Sequence, residues 1–380
     1  MFLQIHTLTS YHATLLNRDD AGLAKRIPFG DATRLRVSSQ CLKRHWRENL
    51  HETIALPGGL RTRHFFEREI LPRLLQEGVE EPLARQLTLS LVGLLLQKSD
   101  KGDKAEKPGK AKKGKKVPDD QPELDFGDTA PNETTTDSSG LQVKQPILFG
   151  KPEADFLVAL LKECAAAGEE AAKTLETRLK AGKANFTAML RAAGHSNLYA
   201  GLEGALFGRF VTSDILARSD AAVHVAHAFT VHKLDTEVDY FTVVDDLNRD
   251  EETGAAHAGD MELGAGLFYG YVAVDVPLLI SNLTGCAAKE WQCQDFGDAR
   301  AVLKGLVSAI ATVSPGAKLG ATAPYAFSDF VLLETGRRQP RALANAYLQA
   351  LPLRNDPMQA AMDTLGLHLA ALDGMYGKTA

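Results

Sequence analysis

Gln40, Lys43, Arg44 and Arg47 fall at i, i+3, i+4 and i+7, so they share one stripe of any helix that begins near Ser39. On the neighbouring stripe Leu42, Trp46 and Leu50 recur every fourth residue and are apolar. One side of such a helix can be buried while the next offers an amide and three cations. Ser38 or Ser39 supplies a side-chain oxygen to cap it. The free backbone N–H groups and the positive dipole end then make a seat for an anion, a phosphate above all. The plain alternative is a solvated helix whose basic side chains lie along apolar surface with their charges in water.

The elements around these residues must hold them in place. Arg34, Leu35, Arg36 and Val37 alternate charged and apolar, which predicts a short strand with one wet face leading into the helix. Asn17–Gly30 lacks periodicity and predicts an exposed loop carrying Arg18, Lys25 and Arg26; its Asn17 and Asp19 suit turns, and Asn17 with Arg18 could equally hold a phosphate or sugar. Residues 18–47 hold eight Lys/Arg against three Asp/Glu, a local charge of +5 in a chain whose net charge is −5. The overall balance argues against general affinity for nucleic acid. A patch of this sign inside it is an electrostatic footprint for a polyanion.

With 380 residues and 44% hydrophobic composition, the chain can bury a large core, as one domain with subdomains or as two. No apolar run approaches about 18 residues, which excludes a membrane-spanning helix, and the N-terminus lacks the pattern of a secretory signal. Four scattered cysteines without a C-x-x-C pair argue against a zinc ribbon or disulfide framework and fit a reducing cytoplasm. No cofactor and no metal site is expected: His224 and His227 would point to opposite faces of an alternating strand, and with His232 they read as structural. The glycines around Asn197–Arg218 do not form a dinucleotide fingerprint.

Along the chain, Phe2–Leu8 predicts a first strand, and residues 61–97 predict two helices. Ser99–Pro146 differs in kind, with eight lysines between Lys101 and Lys116, then an acidic stretch, and few large apolar residues. Such a segment cannot offset its ordering entropy, so it is expected to be a disordered insertion. Helices follow over Ile147–Gly194. Val223–Val231 reads as a strand, and residues 228–267 as a long hairpin arm carrying Tyr240 and Phe241, where aromatic rings could stack on bases or fill the arm's own core. Lys289–Val313 predicts a helix, Lys318 stands in the loop after it, Phe327–Glu334 is a last strand, and helices over about 340–352 and 357–374 end the chain.

Taken in order, NRDD at Asn17–Asp20, RLRVSSQCLKR at Arg34–Arg44, ALFGRF at Ala205–Phe210 and AHAFTVHKLDTEVDYFTVVDDL at Ala226–Leu247 resemble the CasC family. GLFYGYVAV and VSPGAKLGATAPYAF extend the resemblance over nearly the whole chain outside Ser99–Pro146. CasC proteins are the backbone subunits of type I-E CRISPR Cascade complexes. The resemblance implies an α+β fold with an RRM-like (ferredoxin-like) palm, helical fingers and a protruding β-hairpin thumb. The palm would begin in residues 1–50, with fingers over 51–98 and 147–196 flanking the insertion 99–146. Palm would resume at 197–227, thumb occupy 228–267, and palm with C-terminal helices fill 268–380.

The resemblance also implies a role and a set of contacts. Copies would polymerise along the crRNA, grip its sugar–phosphate backbone without reading sequence, kink it with the thumb, and present the spacer to target DNA. The other partners would be neighbouring copies and the large, small and crRNA-end-capping subunits of the complex. RNA contact is expected from Asn17, Arg18, Arg34, Arg36, Ser39, Gln40, Lys43, Arg44, Arg47, Arg209, Phe210 and Lys318, and base stacking from Tyr240 and Phe241. Phe210 stands where the family usually carries Met, and Ala258 near the arm's tip stands where a larger apolar residue would wedge better. No catalytic residue is expected. The rival reading is a metal-dependent ribonuclease acting on RNA paired to the guide, with Asp31, or Asp19 and Asp20, as its acid; salt-bridging among Arg26, Arg34 and Arg36 is the simpler role for Asp31.

Overall fold

The computed structural model describes residues 1–96, 140–143, 145–181, 198–210, 218–243, 257–317 and 322–378. Most of the predicted insertion, the tip of the arm with Asp245 and Asp246, and Lys318 lie outside them.

An antiparallel sheet carries the molecule. Its two long strands are β1 (Phe2–Thr14) and β9 (His257–Asp275), paired from Phe2↔Asp275 to Thr14↔Gly264. Around them lie β2 (Arg26–Phe29), β3 (Ala32–Val37), β6 (Val223–Val225), β7 (Ala228–Thr230), β8 (Thr236–Val243) and β10 (Phe330–Gly336). The order is β10-β1-β9-β7-β3-β2, with β6 and β8 also bonded to β9. Nearly every residue of β1 from Gln4 to Ser10 is buried because both faces of the sheet are covered. One face packs on α1 (Ser39–Thr53), α7 (Val276–Thr284) and α8 (Gly297–Thr312), through Leu42, Trp46 and Leu50 of the first, Leu279 of the second and Val302, Leu306 and Ala309 of the third. The other is closed by a short 3₁₀ turn at Ala344–Tyr347 and by α9 (Pro357–Tyr376), through Leu343, Tyr347, Ala361 and Leu365.

A separate helical block forms its own core from α2 (Leu71–Gln76), α3 (Glu81–Leu96), α4 (Lys151–Ala165) and α5 (Ala171–Ala181), with Phe65 stacked on Phe149 and Phe66 edge-on to both. The small sheet β4 (Gly59–Thr62)–β5 (Ile147–Gly150) leads into it. Two residues assigned to the disordered insertion belong to this core. Leu141 and Val143 are buried in it, and Val143 donates its N–H to the Arg63 carbonyl.

Other boundaries move for local reasons. The loop Asn17–Gly30 contains β2, which pairs with β3 from Arg26↔Leu35 to Phe29↔Ala32. The helix expected over Lys289–Val313 is broken: Asp295 accepts from the Gly297 N–H and starts α8 afresh, after a 3₁₀ turn at Ala288–Cys293. The helix expected over 340–352 reduces to the turn at Ala344–Tyr347. The strand expected at Val223–Val231 divides into β6 and β7, which both lie against β9.

The arm is present as the hairpin β8–β9, paired from Thr236↔Gly264 to Val243↔His257. At its root Gly264 lies against β3, where an added Cβ would come within 2.5 Å of Leu35 Cδ1. Among the described residues no helix is long and apolar enough to cross a membrane.

Candidate nucleic-acid interface

The basic helix α1 is capped by Ser38, the first of the two candidate caps. Ser38 has extended backbone, and its Oγ accepts from Cys41 N at 3.3 Å. Its own N–H is taken by Asn17 Oδ1 at 2.9 Å, which ties the basic loop to the helix start. No acidic residue occupies the first turn, so the positive dipole end is not neutralised there.

The loop has a brace of its own. Asp19 Oδ1 accepts from Leu23 N at 2.9 Å, closing its turn. Glu262, buried on β9, accepts from Ala24 N at 2.7 Å and from Arg26 Nη2 at 2.6 and 2.8 Å. These bonds fix Arg18 beside α1. An open trough of about 720 Å³ results, bounded by Asn17 and Arg18 on one wall, Gln40 and Arg44 on the helix, and Ser314 and Tyr325 opposite. Arg44 is exposed, and its bond to Glu48 at 2.9 Å raises its pKa. Cys41 also lines the trough, but burial pushes its thiol pKa up against the opposing pull of Arg44 and Lys25, so it stays protonated. The trough is lined by the cations of Arg18 and Arg44 and the amides of Asn17 and Gln40, with Glu48 paired to Arg44, and its net positive charge suits an extended anion.

The remaining predicted residues divide. Lys43 turns to the other flank of α1, 5.6 Å from the Phe207 ring of α6 (Gly201–Phe207); burial, then the neighbouring Arg61, lowers its pKa. Arg47 and Ser39 are half-buried and do not line the trough. Arg36 bonds His227 Nδ1 at 3.1 Å and remains partly open to solvent.

Arg34 is a correction. It is fully buried, and its guanidinium donates to the Tyr347 carbonyl at 2.9 Å, the Thr230 carbonyl at 3.3 Å and Asp31 Oδ1 at 3.3 Å. The alternation put Arg34 and Arg36 on one strand face, but the Ala344–Tyr347 turn covers only the first. Arg209 is a second correction. It is buried in a bidentate pair with Glu153 at 2.7 and 2.8 Å and cannot meet a ligand on the surface.

The aromatics fall out unevenly. Phe210, the next residue, is 83% exposed. Tyr240 is 68% exposed, while Phe241, half-buried, turns to the opposite face of β8 and lies over Gly259, so the two do not form one stacking platform. Tyr325 and Phe327, 77% and 71% exposed, carry a signal that sequence reasoning passed over. Ser314 grips the residue between them, bonding Ala326 N at 2.9 Å and Ala326 O at 2.8 Å. The alternation Tyr-Ala-Phe after Pro324 is the pattern that could have marked them.

A family model described as CT1975-like protein matches residues 3–380. Among solved structures, a chain of "CRISPR RNA-guided surveillance complex, pre-nicking" superposes with a TM-score of 0.70 at 24% identity, over 100% of this chain and 90% of that one. A chain of a second "CRISPR RNA-guided surveillance complex" gives 0.53 at 20% identity, over 100% and 86%. Both likenesses are of fold. No curated protein sequence matches.

Proposed function

The chain belongs to the CT1975-like protein family, and from that premise we propose that it is the backbone subunit of a CRISPR RNA-guided surveillance complex of the Cascade type, type I-E by its motifs. Copies polymerise along the crRNA, each holding the sugar–phosphate backbone in its trough, with the hairpin reaching to the neighbour's RNA and prying bases apart. The spacer's base edges stay free for target DNA, and the other Cascade subunits cap and flank the filament. A subunit that must accept any spacer cannot read bases, and cations with a helix N-terminus meet that requirement.

The observation that carries this reading is the convergence of Asn17, Arg18, Gln40 and Arg44 near the positive end of α1, whose first turn holds no acidic residue. The scaffold is favoured over the ribonuclease by the engagement of Asp31. Its Oδ1 accepts from Ala350 N at 2.8 Å and from Arg34, and its N–H donates to the Leu348 carbonyl. A carboxylate so occupied is a structural brace. Asp19 is likewise spent on its own turn.

The test is an RNA titration on the assembled protein. Arg18→Ala with Arg44→Ala should weaken binding equally for unrelated RNA sequences and lower the salt slope by about 0.7 per lost phosphate contact. A loss confined to one sequence, or a native assembly that carries no guide, overturns the reading. Incubation with Mg²⁺ and guide-matched RNA should yield no product; cleavage abolished by Asp31→Ala would reinstate the ribonuclease.

A further inference from the structure

Phe210 poses a physical problem. A benzyl side chain left 83% exposed forgoes the stabilisation that burial would give it, and here it follows a residue that is held from every side. Arg209 is 3% exposed, and its guanidinium donates to both oxygens of Glu153, fully buried on α4, and to the Leu148 carbonyl at 3.0 Å. Tyr199 lies over it, 5.2 Å from ring centroid to Cζ. Its backbone is fixed as well: Arg209 N donates to Ser219 O at 2.8 Å, and Ser219 N to Arg209 O at 3.1 Å. Just before it, Gly208 turns the chain at φ +76°, where a Cβ would strike Ser219 O at 2.7 Å. Just after it, Phe210 leaves the protein with Arg218 5.6 Å from its ring, and Tyr199 Oη donates to the Arg218 carbonyl at 3.1 Å.

A buried ion pair is a costly way to pack a core, and apolar residues of similar volume would often fold as well. What a bidentate pair adds is direction, because two parallel bonds fix both position and angle. We propose that Glu153 and Arg209 are positioning residues that aim Phe210 outward as a rigid wedge between bases and so tie the wedge to the helical block. The inference rests on the reading of the chain as an RNA-gripping subunit. It makes α4 part of the RNA-bending apparatus through Glu153, which is itself fully buried, and it replaces the phosphate contact expected of Arg209.

The experiment uses the full chain assembled on single-stranded RNA carrying 2-aminopurine at successive positions, whose fluorescence rises where a base is unstacked. The wild type should give a rise at recurrent positions, and Phe210→Ala should abolish it at the step that Phe210 enters, leaving whatever rise the hairpin makes. Glu153→Leu with Arg209→Met should fold, bind the same RNA within about twofold with an unchanged salt slope, and lose more than half of the rise. Should the double variant fail to fold, Glu153→Gln, which keeps the shape and removes the charge, should give an intermediate rise. Either variant retaining the full wild-type rise, with RNA bound, overturns the positioning role while leaving the grip intact. A wild type that binds no RNA overturns the grip and the wedge together.

Discussion

Asn17 does two things with one amide: its Oδ1 holds the N–H of the capping Ser38, and its position places it in the wall of the trough. These can be separated. Asn17→Asp keeps an acceptor for Ser38 N and adds a negative charge at the positive end of α1, which should leave thermal stability unchanged or slightly raised. On the proposed function the same charge would face the phosphates of a bound RNA. At about 1 kcal/mol for charges 4 Å apart in water, RNA affinity should fall roughly fivefold, and a titration beside a melting curve checks both. Single residues were legible in the sequence where their partners are local: Gln40 and Arg44 follow from helical spacing, and Asn17 and Arg18 from turn chemistry and charge. Arg34 and Arg209 were not, because what buries them lies far along the chain, at Tyr347 and Glu153, 313 and 56 residues away. A basic residue reads as a surface residue until its distant carbonyl or carboxylate is known.

At the scale of the element, α1 was the most legible piece, since cap, apolar stripe and polar stripe agree on its start and on the face it buries. Ser38→Ala should cost about 1 kcal/mol, the usual loss of an N-cap oxygen, seen as a lower denaturation midpoint with an unchanged slope. The polar segment before β5 was legible only as composition. Leu141 and Val143 are two apolar residues in a long hydrophilic window, and no periodicity announces that they close the helical block. Leu141→Ala should therefore destabilise by about 2–5 kcal/mol, the range for truncating a buried leucine; a melting temperature within a degree of wild type would return the residue to the insertion. The hairpin was legible as an arm because β8 and β9 alternate on either side of a polar stretch. The opposition of Tyr240 and Phe241 follows from strand period 2 alone. The turn at Ala344–Tyr347 was not legible as such, because its apolar spacing imitates a helix and only the shape of the sheet beneath it shortens it.

Across the whole molecule, first strand, long central strand, edge strand and final helix meet at one buried polar chain. Leu343 N donates to Tyr269 Oη at 3.1 Å, Tyr269 lies 2.9 Å from His6 Nδ1, and His6 Nε2 lies 3.1 Å from Glu334. Arg341 then links Glu334 at 3.0 Å to Asp373 of α9 at 2.6 Å. The network assigns the tautomer. Tyr269 Oη already accepts from Leu343, so its own proton goes to Nδ1, and Nε2–H donates to Glu334. A protonated ring would turn a second donor on Tyr269 and strand the phenol's hydrogen. Burial accordingly outweighs the attraction of Glu334 and lowers the His6 pKa to about 4. In the unfolded chain the ring titrates near its ordinary 6.5. Between these two values the unfolded state binds a proton that the folded state refuses, so stability is complete above the upper value and falls as pH drops toward the lower one. At about 1.4 kcal/mol per pH unit of difference, the loss attributable to this ring is of order 3 kcal/mol. Carboxylates add their own acid dependence, so the measurement is a comparison: denaturant unfolding of wild type and His6→Gln from pH 7 to 4. The variant should be less stable at neutral pH, and its curve should fall less steeply, the two converging as pH approaches 4. Parallel curves would mean that the ring keeps its ordinary pKa in the fold, and a wild-type curve that falls less steeply than the variant's would mean that His6 is held charged, with Glu334 rather than burial governing the junction between sheet and C-terminal helix.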